Sequence, residues 1–136
     1  MPTAALKEKI KQFFGSDPAI YAVYLFGSAV EGKTHSSSDI DIAILCAHEN
    51  IPSYHEQMEK QNKLTDILNK QVDLVCLNVV TPILQKQVLS KGEKVLVNDP
   101  HELNLFIIKA LNMYYDLKMT RKPIEQMILQ RRILNG

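Results

Sequence analysis

Two aspartates one residue apart, Asp39 and Asp41, head the apolar run Ile42-Ala43-Ile44-Leu45. Alternate side chains of a strand share a face, so both carboxylates project to one side, about 7 Å apart, while Ile40, Ile42 and Ile44 project to the other. A like-charged pair in such a place is unfavourable without a positive neighbour, and a hard divalent cation with oxygen ligands supplies one. Mg²⁺ held between carboxylates and phosphate oxygens serves phosphoryl and nucleotidyl transfer. A third acid, Asp73, interrupts the apolar run Val72-Asp73-Leu74-Val75-Cys76-Leu77. On a neighbouring strand it would complete a triad and act as general base for an attacking hydroxyl. Upstream, Leu25-Phe26-Gly27-Ser28 closes another apolar run. Gly27 lets a backbone approach closely, and Ser28 offers a hydroxyl and an N–H at a predicted helix start, where phosphates bind well.

Each of these residues also has a purely structural role open to it. Asp39 suits a turn, Asp73 suits an edge strand as a solubility charge, and a strand-ending Gly-Ser suits a tight turn. Asp41, inside the strand, fits none of these. The joint occurrence of the Gly-Ser turn, the paired acids ten residues beyond it and the third acid on a later strand points to function. His35, His48, His55 and His101 have no ligand spacing with one another and read as surface residues.

The elements that must position these groups follow from periodicity. Leu6, Ile10, Phe13 and Phe14 recur at helical spacing and the Gly15-Ser16-Asp17-Pro18 cluster stops that helix. Strands are predicted over Ile20 to Phe26, Asp39 to Leu45, Val72 to Leu77 and Val95 to Val97. Tyr54 to Lys70 reads as an amphipathic helix carrying Met58, Leu64, Ile67 and Leu68, and Thr81-Pro82 caps another. The fold class is therefore α/β or α+β, a mixed sheet of about four strands flanked by helices.

From about Asp99 the chain is helical, with Leu103, Phe106, Ile107, Ala110, Leu111, Tyr114 and Leu117 along one side and Leu105, Ile108, Asn112, Tyr115 and Met119 along the other. Lys122-Pro123 is predicted to kink or break it. Residues 1–98 form the expected core, and 99–136 a helical extension packed on the same domain.

At 136 residues and a net charge of +1 the chain can bury a core without disulfides, and its interleaved charges leave no footprint for long nucleic acid. Cys46 and Cys76 fall in or at the end of strands, where a thiol is a small buried hydrophobe. Neither a signal peptide nor a run of about 18 apolar residues is present, so no membrane association and a cytoplasmic location are expected.

These residues resemble the minimal nucleotidyltransferase domains of the DNA polymerase β-like superfamily, whose signature is Gly-Ser, a spacer and Asp-x-Asp on a strand. The match runs through Leu25-Phe26-Gly27-Ser28, Gly32, Ser38-Asp39-Ile40-Asp41 and the strand bearing Asp73, covering roughly residues 20 to 97. The chain is most similar to the MNT antitoxins of HEPN/MNT toxin–antitoxin modules. That resemblance implies a polymerase β-like core with a long C-terminal helix. It also implies an activity, the transfer of AMP from ATP to a tyrosine of a HEPN ribonuclease toxin. By the same resemblance Gly27 and Ser28 hold the triphosphate, while Asp39, Asp41 and Asp73 bind two Mg²⁺ and activate the hydroxyl. Leu105, Ile108, Tyr115 and Met119 would suit a hetero- or homo-oligomeric contact, or burial within the chain. Many relatives carry Arg-x-Arg-Gly after Gly-Ser, whereas this chain reads Ala29-Val30-Glu31-Gly32, with Lys33 as a candidate replacement cation. Two alternatives stand beside this reading: nucleotidyl transfer to a small molecule, and a catalytically idle antitoxin that acts by stoichiometric binding.

Overall fold

Four strands are built from the apolar runs: β1 (Ile20–Phe26), β2 (Ile40–Cys46), β3 (Val72–Cys76) and β4 (Glu93–Val97). The computed structural model describes residues 4–27 and 39–135, with side chains as far as 119. The sheet order is β3-β2-β1-β4, with β2 and β3 parallel and the other two pairs antiparallel. The parallel pair needs a crossover, which helix α2 (Tyr54–Leu68) provides. Helix α1 (Ala4–Phe14) precedes β1, α3 (Pro82–Lys91) links β3 to β4, and α4 (Pro100–Asn135) closes the chain.

Strand alternation divides the core in two. Val23, Leu25, Ile40, Ile42, Ile44, Val72 and Leu74 turn to one face and pack with Ile10, Phe14, Leu64 and Leu68 of α1 and α2. Ala22, Tyr24, Ala43 and Leu45 turn to the other and pack with Val88 of α3 and Leu103 of α4. Both faces of the sheet are thus covered, and fully burying each Leu or Ile adds about 1.5–3 kcal/mol.

Local signals set the helix ends. Ser53 and Glu56 form a reciprocal capping box at the start of α2, and Asn69 ends it in the left-handed region at φ 55°. Thr81 accepts a hydrogen bond from Leu84 N–H at the start of α3, ahead of Pro82. Ile67, predicted on the buried stripe of α2, is instead exposed, because Leu64 and Leu68 point at the sheet and Ile67 lies to their side.

Two alternatives left open for the C-terminal helix are decided. No break occurs at Lys122-Pro123: α4 runs unbroken over 36 residues. An interior proline forfeits one backbone hydrogen bond, and helical turns on both sides sustain the run across that loss. Burial of Leu105, Ile108, Tyr115 and Met119 within the chain is also ruled out, since Ile108 is 59% and Met119 73% exposed. Leu103 and Ala110 dock the helix, and Lys86 of α3 sits over the Tyr114 ring at 5.3 Å. Leu117, placed by periodicity on the docked side, is exposed. No helix among the described residues is long and apolar enough to cross a membrane.

Candidate active site

β1 ends at Phe26, which lies opposite Asp41 in the antiparallel ladder. The chain then turns at Gly27 with φ +74°, a conformation that L side chains rarely adopt. The turn passes directly beneath the Asp41 carboxylate: a Cβ on Gly27 would stand 2.3 Å from Asp41 Oδ2. Glycine is therefore demanded twice, by the dihedral and by the close approach. Ser28 lies outside the described residues, as do Ala29, Val30, Glu31 and Lys33.

Asp41 and Asp73 are register partners across the parallel β2–β3 pair. Adjacent strands lie about 4.8 Å apart and register partners share a face, so the two carboxylates stand side by side. Asp41 is half-buried and Asp73 exposed. Burial pushes the Asp41 carboxyl above the usual carboxylate range, and the negative charges of Asp73 and then Asp39 push it further. Asp39 falls one residue before β2 rather than within it, because the first ladder contact is Ile40 N–H donating to Gln71 C=O at 2.9 Å. Its side chain is exposed and reaches Asp41 through its field.

Among the described residues no cation pairs with these acids; Lys7 pairs instead with Glu93. Nor do the described residues contain a group of three or more acidic, histidine or cysteine side chains placed to hold a metal ion by themselves. What they do offer is an acidic, oxygen-only donor set with one carboxylate pushed toward protonation by burial and by its neighbours, over a glycine with no side chain in the way. That chemistry suits a Mg²⁺ ion completed by phosphate oxygens, since Mg²⁺ is usually held by one or two carboxylates together with substrate phosphates.

The remaining polar groups sort readily. His48, His55 and His101 are exposed, and His35 lies outside the described residues. Cys46 and Cys76 are buried and free; a hydrogen bond between the thiols lowers Cys76 to about 7 and, with burial, raises Cys46 well above the ordinary thiol range. At the far end of the strands from Asp41, a cleft of about 530 Å³ opens between α4 and the ends of β2 and β3, lined by Cys46, Asn78, Phe106 and Met113 among others. Sequence periodicity does not reveal it. Sequence reading also passed over Gln57, Gln61 and Thr65, whose side chains bond the backbone of β3. The signal was there as three polar residues at a spacing of four on a helix packed against the sheet.

Comparison with known proteins agrees with this geometry. The family model for polymerase beta nucleotidyltransferases matches residues 8–101. The chain is 37% identical over 117 residues to the protein adenylyltransferase MntA of Shewanella oneidensis, covering 85% of this chain and 81% of that protein. Among solved structures, it is similar to a toxin–antitoxin complex with AMP-PNP at a TM-score of 0.78 and 31% identity, covering 90% of this chain and 98% of that one. A tri-AMPylated Shewanella oneidensis HEPN toxin in complex with MNT antitoxin gives a TM-score of 0.73 and 28% identity, with 92% and 97% covered. Sheet order, Gly27 beneath Asp41, and a family match over residues 8–101 lead to one conclusion: this chain belongs to the polymerase β nucleotidyltransferase family and is a nucleotidyltransferase.

Proposed function

We propose that this chain is an antitoxin that transfers AMP from ATP to a tyrosine hydroxyl of a cognate HEPN ribonuclease toxin and so neutralises it. The observation that carries the chemistry is the Asp41 carboxylate, over Gly27 and beside Asp73 in register. The choice of acceptor is supported by the adenylyltransferase relative and by the AMPylated toxin in the similar complex. Residues 1–98 would form the catalytic core and 99–136 the helical extension, working in the cytoplasm.

In this reading Gly27 and Ser28 hold the triphosphate, whose oxygens would accept hydrogen bonds from backbone N–H groups. Asp39, Asp41 and Asp73 hold two Mg²⁺, which when bound polarise the phosphate and offset the charge that gathers on the leaving group. The family works with a nucleoside triphosphate and a divalent metal; the identity and number of the ions belong to this proposal. Asp73, exposed at the sheet edge, takes the proton of the acceptor hydroxyl. The hydroxyl oxygen bonds to the α-phosphorus, the bond to the bridging oxygen breaks, and pyrophosphate leaves. The exposed row Leu105, Ile108, Tyr115 and Met119 supplies apolar surface for the toxin.

The direct test is mass spectrometry of the product of the adjacent gene after incubation with this protein, ATP and Mg²⁺. An AMP-sized increment on a tyrosine is expected, and it should vanish with Asp41→Ala. A second reading, inhibition by binding alone, is favoured by the absence of the two arginines after Ser28. Asp39→Ala with Asp41→Ala separates the two, because a pure binder would still neutralise the toxin at the same dose.

A further inference from the structure

Among the described residues β3 is an edge strand, flanked on one side only by β2. The backbone groups of Val72 and Leu74 that point away from β2 therefore have no strand to meet, yet both residues are buried. Gln71 Nε2 donates to Val72 C=O at 3.4 Å, and three side chains of α2 meet the other groups. Thr65 Oγ1 accepts from Val72 N–H at 3.1 Å, Gln61 Oε1 accepts from Leu74 N–H at 3.0 Å, and Gln57 Nε2 donates to Leu74 C=O at 2.8 Å. Positions 57, 61 and 65 are four apart and form one row along the helix. Four helical residues rise about 6 Å and two strand residues about 6.6 Å, so such a row can follow the strand. The helix acts as a side-chain substitute for a fifth strand.

Asp73 is the residue between the two that are clamped, and its register partner is Asp41. We propose that Gln57, Gln61 and Thr65 are positioning residues that hold Asp73 level with Asp41. The inference rests on the reading of Asp73 as a metal ligand and base. Like charges at Asp41 and Asp73 push the two strands' heads apart whenever no cation lies between them, and an edge strand held from one side is where a sheet opens first. Bonds on the outer side of β3, to the residues before and after Asp73, oppose that opening. Covering the edge against other chains is a role the same row could fill without any bearing on the metal.

The two bonds to Leu74 have opposite polarity, so one substitution tests both. Gln57→Glu sets a carboxylate against the Leu74 carbonyl and destroys the bond, whereas Gln61→Glu keeps an oxygen that accepts from Leu74 N–H. Both add the same charge to the same helix. The readouts are Mn²⁺ affinity by electron paramagnetic resonance in the presence of AMP-PNP, together with kcat and KM for ATP. Gln57→Glu is expected to weaken Mn²⁺ binding and kcat by about tenfold or more, with KM little changed, as when other outer partners of metal ligands are removed. Gln61→Glu should retain most of the affinity, and Gln61→Met should lose it. Gln57→Met, which removes the donor without adding charge, gives the same ordering if Gln57→Glu is too unstable to purify. Equal losses in the two glutamate variants, or a lowered Tm for Gln57→Glu with Mn²⁺ affinity intact, would overturn the proposal. Asp73→Asn tells the two failures apart. If it leaves Mn²⁺ binding unchanged, the metal reading of Asp73 is wrong; if it abolishes binding while the glutamine variants do not, only the positioning role is wrong.

Discussion

Gly27→Ala subjects the carboxylate arrangement to a sharp perturbation. Two separate effects follow from the structure. The first is backbone strain, because φ at Gly27 is +74° and an L residue there costs about 1–2 kcal/mol. The second is collision: the new Cβ would lie 2.3 Å from Asp41 Oδ2 and 3.2 Å from its Cγ. Ordinary contact begins at 3.4 Å, so the carboxylate must retreat by about 1 Å, a displacement that can cost on the order of 100-fold in rate. Gly15→Ala isolates the first effect, since Gly15 has φ +53° and the nearest atom to a new Cβ is Gln12 O at 3.8 Å. Thermal melts and initial rates of AMP transfer, measured on both variants, should show similar losses in Tm of about 3–6 °C. Only Gly27→Ala should lose roughly 100-fold in kcat/KM. If both variants lose the same activity, or if Gly27→Ala stays close to the parent rate, the carboxylate is not where the reasoning puts it.

Asp41→Asn should raise the Tm of the metal-free protein near neutral pH while abolishing transfer. Burial, Asp73 and Asp39 raise the Asp41 carboxyl above 3.8, so the folded state binds its proton more tightly and stability falls as pH climbs through that window; melts against pH in EDTA should show a shallower fall for the variant. Leu64→Ala, at a fully buried site, should cost about 2–5 kcal/mol in urea unfolding, whereas Ile67→Ala on the exposed side of the same helix should stay within about 0.5 kcal/mol. Ile108→Asp should leave the Tm unchanged and weaken capture of the toxin in a binding titration; unchanged affinity would remove this face of α4 from the interface.

Strands, helices and their approximate ends were legible because each is written in local chemistry. Alternation in Asp39 to Leu45, the Thr81 cap, and the apolar row through Leu103, Phe106 and Ala110 need only neighbours a few residues away. The chemistry was legible for a similar reason: paired acids on an apolar strand have few structural uses, and their distance from Gly27-Ser28 narrows the choice. Pro123 did not end the helix, since a local preference against helix lost to the cooperativity of the turns around it.

By itself, then, the sequence determined which side chains carry charge, which faces are apolar and which residues have the chemistry to hold a metal. Tertiary structure alone decided that Asp73 pairs with Asp41, that Gly27 passes beneath that carboxylate, and that Gln57, Gln61 and Thr65 close the open edge of β3. It also left Leu105, Ile108, Tyr115 and Met119 uncovered. The physical reason is one of range. Strand order, register and the cover on an edge depend on contacts between residues distant in sequence, and no periodicity within a single segment records them.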